Sequence, residues 1–145
     1  MNFRKISEVH GQKTYVVVLD AGEEAFSTLA AFATDNGLVA ASVTAIGAFE
    51  RATIGWFDVS NRDYRKIPVP EQCEVLSLIG DIAMGDDGKA SLHLHAVLGL
   101  RDGSTRGGHF LEGIVQPTLE ATIVEAVGHL RRRHRKELGI ALIEI

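Results

Sequence analysis

One cysteine, three prolines and no apolar run near the ~20 residues of a membrane span set the first limits on this chain. Cys73 alone cannot close an internal disulfide, so a reducing cytoplasm is the expected location. No basic residue lies within several positions of it, which marks Cys73 as small apolar filler. The opening stretch MNFRKISEVHGQK lacks the apolar region of a signal peptide. Positive charge is also short, with 15 Lys and Arg against 19 Asp and Glu and a net charge of −4. A domain that grips phosphates is usually basic, overall or on one face. The one dense basic stretch, HLRRRHRK at 129–136, reads as a solvated helix surface or a charged connector.

What is present describes an ordinary globular domain. The 145 residues, 46% of them hydrophobic, suffice for one core without staples, and 1–145 reads as a single domain. TYVVVLD at 14–20 is a β-branched run that predicts a buried strand. Asp20 and Glu23 match a capping box, which predicts a helix starting there. Phe26, Leu29, Ala30 and Ala33 give that helix an apolar stripe, and Asn36-Gly37 stops it. Strand-like segments then follow, split by turn signals: VAASVTAIGAF and RATIGWFDV flanking Glu50, YRKIPV, CEVLSLIGDIAM, and the pair SLHLHAVLGL and GGHFLEGIV around Asp102-Gly103. The pattern LEATIVEAV fits helix or strand, and a terminal IALIEI reads as strand. One helix and a run of strands predict an α+β domain on a largely antiparallel sheet.

Chemistry is concentrated in SLHLHAVLGLRDGSTRGGHF, residues 91–110, which carries three of the six histidines. On a strand, residues i and i+2 share a face, with ~6.6–6.8 Å between their Cα atoms. His93 and His95 therefore point one way, while Leu92, Leu94, Ala96 and Leu98 point toward a core. The place of His109 depends on the parity of the loop. A two-residue Asp102-Gly103 turn sends it to the wrong face, whereas an odd loop or a bulge, suited to Gly103, Gly107 and Gly108, sets it opposite His95 or Val97. Three imidazoles with an open fourth position are the ligand set of catalytic zinc. A histidine pair alternating on a strand also occurs without any ligand. Glu112 lies three residues past His109 and, in a regular strand, on the other face. It reaches the histidines as base or fourth ligand only through a bulge or from a neighbouring subunit, and is otherwise a carboxylate paired with an arginine. His10, His129 and His134 read as surface residues.

The chain also resembles a known family over about residues 14–125. GEEAFSTLAAFATDNGLVAASVTAIGAFERATIGWFD, CEVLSLIGDIA and above all DGKASLHLHAVLGLRDGSTRGGHFLEGIVQPTLEATI resemble the PPC (plants and prokaryotes conserved) domain, found also in AT-hook nuclear-localized proteins. The specific signature is H-x-H-A-V-L-G, then D-G, then G-G-H-x-x-E-G. The resemblance implies one helix against an antiparallel sheet, assembled as a homotrimer. It also implies a wider relationship to acetolactate decarboxylase-like zinc proteins, whose H-x-H and later His would map onto His93, His95 and His109. QCEVLSL at 72–78, with Glu74, stands where the plant members carry G-R-F-E-I-L. The family is commonly described as DNA-binding, yet in the plant proteins an Arg-Gly-Arg hook enters the minor groove, and this sequence has no R-G-R-P.

Two functions follow as expectations. The first is a trimeric Zn²⁺-binding domain and, if an enzyme, a zinc-dependent hydrolase or lyase. His93, His95 and His109 would be its ligands, Glu112 its proton carrier, and Arg51, Arg101 or Arg106 an anchor for a small anionic ligand. The second is a regulatory or interaction module that binds protein or DNA through Arg131, Arg132, Arg133, Arg135 and Lys136 and performs no chemistry.

Overall fold

The computed structural model describes all residues 1–145. Nine strands and one helix follow in the order β1 Asn2–Val9, β2 Gln12–Asp20, α1 Ala25–Asp35, β3 Ala40–Asp58, β4 Asp63–Val69, β5 Cys73–Met84, β6 Ala90–Gly99, β7 Thr105–Glu125, β8 Arg131–Arg135 and β9 Ile140–Glu144. All nine strands belong to one sheet, in the order β1-β2-β7-β3-β5-β8-β9, with β4 on β3 and β6 between β5 and β7. Four strands close on one another: β3 pairs with β5, β5 with β6, β6 with β7, and β7 with β3. Every pairing is antiparallel except Met84 with Arg131, which joins β5 to β8. The α+β expectation of one helix on a largely antiparallel sheet therefore holds.

Several local expectations need correction. The segments on either side of Glu50 are one strand, β3, and those on either side of Pro117 are one strand, β7. Bulges let these strands bend without ending: β3 against β7 shifts register between Gly47 and Phe49, Phe49 and Arg51, and Thr53 and Ile54. The 120s are strand, because β7 runs to Glu125 between β2 and β3. The basic stretch is neither helix surface nor connector. Arg131–Arg135 pairs with Ile140–Glu144 as a hairpin closed by Gly139 at φ 75°.

The helix begins later than the capping box suggests. Glu24 is its N-cap, and the Glu24 carboxylate accepts from the amides of Phe26 (3.0 Å) and Ser27 (2.7 Å). The half-pattern at Asp20 is nonetheless real, since the Asp20 amide donates to Glu23 at 2.7 Å. Leu29, Phe32 and Ala33 are buried beneath the helix, and Phe32 meets Tyr15 and Phe3 edge-on. Leu94 and Leu98 on β6 are fully buried with Phe110 and Phe49, whose rings stack at 5.5 Å. Each such leucine removes enough apolar surface to contribute about 2 kcal/mol. The core therefore fixes one face of β6 and leaves the other free to carry histidines.

Candidate metal centre

The hairpin from β6 to β7 settles the parity question. Gly99 pairs with Thr105, and inside them Leu100 N donates to Ser104 O at 2.8 Å and Gly103 N to Leu100 O at 2.9 Å. Three residues, Arg101 to Gly103, thus form the tip, with Gly103 at φ 82° supplying the left-handed turn position. An odd tip puts His95 opposite His109 in the ladder. Facing residues share a face, with Cβ atoms ~4.5–5.5 Å apart, so the third imidazole arrives on the side of the first two.

The three rings form a nearly equilateral triangle. Centroids are 5.1 Å apart for His93 and His95, 5.1 Å for His93 and His109, and 5.3 Å for His95 and His109. One nitrogen from each ring lies within 4.8 Å of the other two. The Nε2 atoms of His93 and His95 are 3.2 Å apart. His93 and His109 are half-buried and His95 is exposed, so the triangle opens on one side.

Neighbouring residues hold the third ring. Gly55 on β3 faces His109 in the ladder, and a Cβ there would lie 2.8 Å from the Tyr64 ring. The missing side chain lets Tyr64, on β4, lie over His109, with ring centroids 4.5 Å apart and planes at 25°. On the other flank, Asp81 of β5 faces His93 and Ile79 faces His95. Beneath them, Gly80 lies so close to the next strand that a Cβ would fall 1.8 Å from the His93 carbonyl oxygen.

Electrostatics favour the neutral forms of His93 and His109. Burial, together with the charges of His93, His95 and Arg132, drives the pKa of His109 down to about 4. Burial first, then Arg132 and His95, lowers that of His93 against the opposing pull of Asp81. Neutral imidazoles keep lone pairs free for a cation. The His109 Nδ1 is buried with no hydrogen-bond partner. An orphaned buried nitrogen is costly in a folded chain, and it leaves that lone pair or N–H uncommitted within the protein.

Glu112 has a different setting. A bulge at Leu111 sets Phe110 opposite Ile54 but Glu112 opposite Thr53, so Glu112 comes to the same side as His109 and not the far side expected of a regular strand. It does not join the triangle. Its carboxylate accepts from Thr53 Oγ1 at 2.7 Å and lines a separate hollow with Arg51, Pro68 and Pro70. None of the arginines expected to anchor an anion stands beside the histidines. Arg51 pairs with Glu50, Arg106 donates to the Pro68 carbonyl, and Arg101 lines a hollow with Glu71.

The basic residue that does reach the site is Arg132. It is 4% exposed and ion-paired with Asp81, and it donates to the Ser91 carbonyl at 2.7 Å. With His93, His109, Tyr64 and His134 it lines a hollow of about 270 Å³ closed on one side by Ile140 and Leu142. In sequence Arg132 is one of three consecutive arginines, and only the partner strand IALIEI after a Gly139 turn hinted that alternate members would face inward. Within the same hairpin Arg133 and Arg135 share one carboxylate, Glu144, which offsets part of the positive charge that a nucleic-acid reading needs. His134, expected at the surface, is exposed but borders the hollow. Cys73 is buried as expected, and burial, with Glu71 and Glu74 nearby, raises its thiol pKa.

Comparison with known proteins matches this geometry to solved folds. No curated protein matches the chain in sequence. Among solved structures, a plant- and prokaryote-conserved (PPC) protein from Pyrococcus horikoshii is 31% identical, with a TM-score of 0.84 and 91% of each chain covered. The metal-containing protein AF0104 from Archaeoglobus fulgidus is 29% identical, with a TM-score of 0.83, covering 98% of this chain and 97% of that one. A candidate DNA-binding protein from Bacteroides thetaiotaomicron is 26% identical, with a TM-score of 0.86, covering 99% and 96%. Residues 6–127 match the Plants and Prokaryotes Conserved domain, abbreviated PCC or PPC, and the chain belongs to that family.

Proposed function

We propose that this chain is a zinc-binding domain in which His93, His95 and His109 hold one Zn²⁺ with a fourth position open. The convergence of the three ring nitrogens within 4.8 Å carries the reading. Tetrahedral coordination at ~2.0–2.1 Å sets ligand nitrogens roughly 3.3 Å apart, and the His93–His95 separation is 3.2 Å. The buried, partnerless His109 Nδ1 and the lowered pKa values of His93 and His109 suit the same ion. A similar fold in a metal-containing protein adds support. Bound zinc would supply a Lewis acid for a carbonyl or carboxylate and a bound water acidic near neutral pH, the chemistry of a hydrolase or lyase. A proton-carrying role for Glu112 requires movement from its bond with Thr53 or delivery by a neighbouring subunit.

We also propose an assembly through the face that carries the histidines, a homotrimer being what the family resemblance implies. Ile46, Leu76, Ile79 and Val97 are 61, 53, 52 and 41% exposed there, and Ile79 stands directly opposite His95. Such a cluster on a sheet is an association surface, and we assign it to a homotrimer in the cytoplasm. Replacing Ile79 with Glu is expected to convert a trimer to monomer in light scattering. A wild-type chain that is already monomeric refutes the assembly. DNA binding is the competing reading. The candidate DNA-binding protein of the same fold favours it, while the ion pairs of Arg132, Arg133 and Arg135 count against it. Duplex DNA retained at ~50 mM salt and released by reversing Arg131 and Lys136 would establish it.

The metal reading is tested by elemental analysis of tag-free protein. About one zinc per chain is expected, with loss in a folded His93→Ala/His95→Ala variant. A folded wild type that stays metal-free in excess zinc refutes it.

A further inference from the structure

The hairpin β8–β9 lies outside the matched family segment, residues 6–127, yet it supplies one wall of the hollow beside the histidines. That wall has two chemistries. Ile140, Ala141 and Leu142 give it an apolar side, and Arg132 gives it a guanidinium at 4% exposure. Arg132 is only partly committed. Nη1 donates to Ser91 and Nη2 to Asp81, while Nε is buried and donates to nothing. A buried N–H without an acceptor costs stability, and a guanidinium deep in a hollow is a feature that ligand recognition explains.

We propose that this hollow takes a small monocarboxylate with a short hydrocarbon tail, its carboxylate shared between the metal position and Arg132 Nε and its tail against Ile140 and Leu142. The inference rests on the zinc reading for one part of its charge balance. Three neutral imidazoles leave the ion's double charge uncompensated, and Arg132 and Asp81 cancel each other, so the site carries a net positive charge that an anion relieves. The remaining donor of Arg132 and the tyrosine and histidines lining the hollow can then orient the anion. About 270 Å³ suits a ligand of a few carbons. Nε is buried, so reaching it requires the hairpin to yield slightly. The ladder between β8 and β5 is the single pair Met84–Arg131, and the other ties of β8 are the bonds of His134 N to Asp86 and of Arg132 to Ser91 and Asp81.

The test uses the full chain, zinc-loaded and metal-free, with butyrate and its neutral analogue butyramide as probes. Calorimetry is expected to show zinc-loaded protein binding butyrate at least tenfold more tightly than butyramide. The Arg132 Nε–H resonance should move on adding butyrate in both forms. Arg132→Gln is expected to weaken butyrate about tenfold while elemental analysis still finds full zinc. Should that variant not fold, Leu142→Ser, at a partly exposed position, is expected to bring butyrate down to the affinity of acetate. An unmoved Nε–H resonance, or equal binding of butyrate and butyramide, overturns the proposal. Protein that takes up no zinc refutes the metal reading instead, and the metal-free resonance shift then decides the anchor alone.

Discussion

Two polar clusters in this molecule are built on opposite terms. At the start of α1, the Glu24 carboxylate accepts from the amides of Phe26, Ser27 and, across on β7, Gly113 at 3.1 Å. Gly22 N donates to Val115 O and Val115 N to Glu23 O, both at 2.9 Å, strapping the helix entry to the same strand. Its polar groups find partners within the chain. At the other cluster, three imidazoles face one another, the Nδ1 of His109 has no partner and the Nε of Arg132 has none. Buried polar groups without partners inside the chain are what the proposed binding role would use. On the proposed reading, the helix entry is architecture and the histidine face a receptor.

That contrast is sharpest where backbone packs under the receptor. Gly80→Ala forces a Cβ onto the His93 carbonyl and is expected to cost ~3 kcal/mol, because backbone must move. Urea unfolding would read the cost, and metal uptake should fall with it. At the architectural cluster, Glu24→Ala removes the cap and the tie to Gly113. The expected loss is about 2 kcal/mol in the same experiment, with zinc uptake unchanged. Gly55→Ala pushes on Tyr64 and should cost only ~1 kcal/mol. Its larger effect should be on zinc, with affinity falling about tenfold as the ring over His109 shifts.

Acid should separate the two regions without mutation. His109 titrates at about 4 in the fold, while a histidine in the unfolded chain titrates near ~6.5. The unfolded chain thus takes up the proton first, so the metal-free fold has this contribution in full above pH ~6.5 and loses it as pH falls toward 4. Glu24 behaves like an ordinary stabilising carboxylate. Burial pushes its pKa up, but the Ser27, Phe26 and Gly113 donors outweigh burial and hold it below normal. Its contribution is present above pH ~4.3 and disappears only as pH drops through the lower folded value. Unfolding curves against pH should therefore lose stability in two stages. Glu24→Gln should flatten the acidic stage alone, and a single stage in the wild type would show that the two clusters do not differ as described.

Legibility in the sequence follows burial. Leu92, Leu94, Ala96 and Leu98 alternate because one face of β6 is buried, and the same alternation exposed His93 and His95 as a pair. His109 needed only the parity of a three-residue tip, for which Gly103 was the cue. β1 escaped notice because all eight of its residues are exposed and leave no two-residue period to read. Glu24 is the cap although Asp20 and Glu23 match the box, because the Glu23 carboxylate accepts from the Asp20 amide and both carboxylates accept from the chain's N-terminal ammonium. The bulge at Leu111 leaves no mark in the local pattern, so the face of Glu112 cannot be read from strand periodicity. Arg132 is hidden among like neighbours, and only tertiary packing against Ser91 and Asp81 singles it out.

The receptor claim is tested most directly by anomalous scattering at the zinc edge from crystals of tag-free protein grown with zinc. The account predicts one strong peak per chain, equidistant from nitrogens of His93, His95 and His109 at ~2.0–2.1 Å. Ordered histidines around a position that shows no peak at saturating zinc would contradict it.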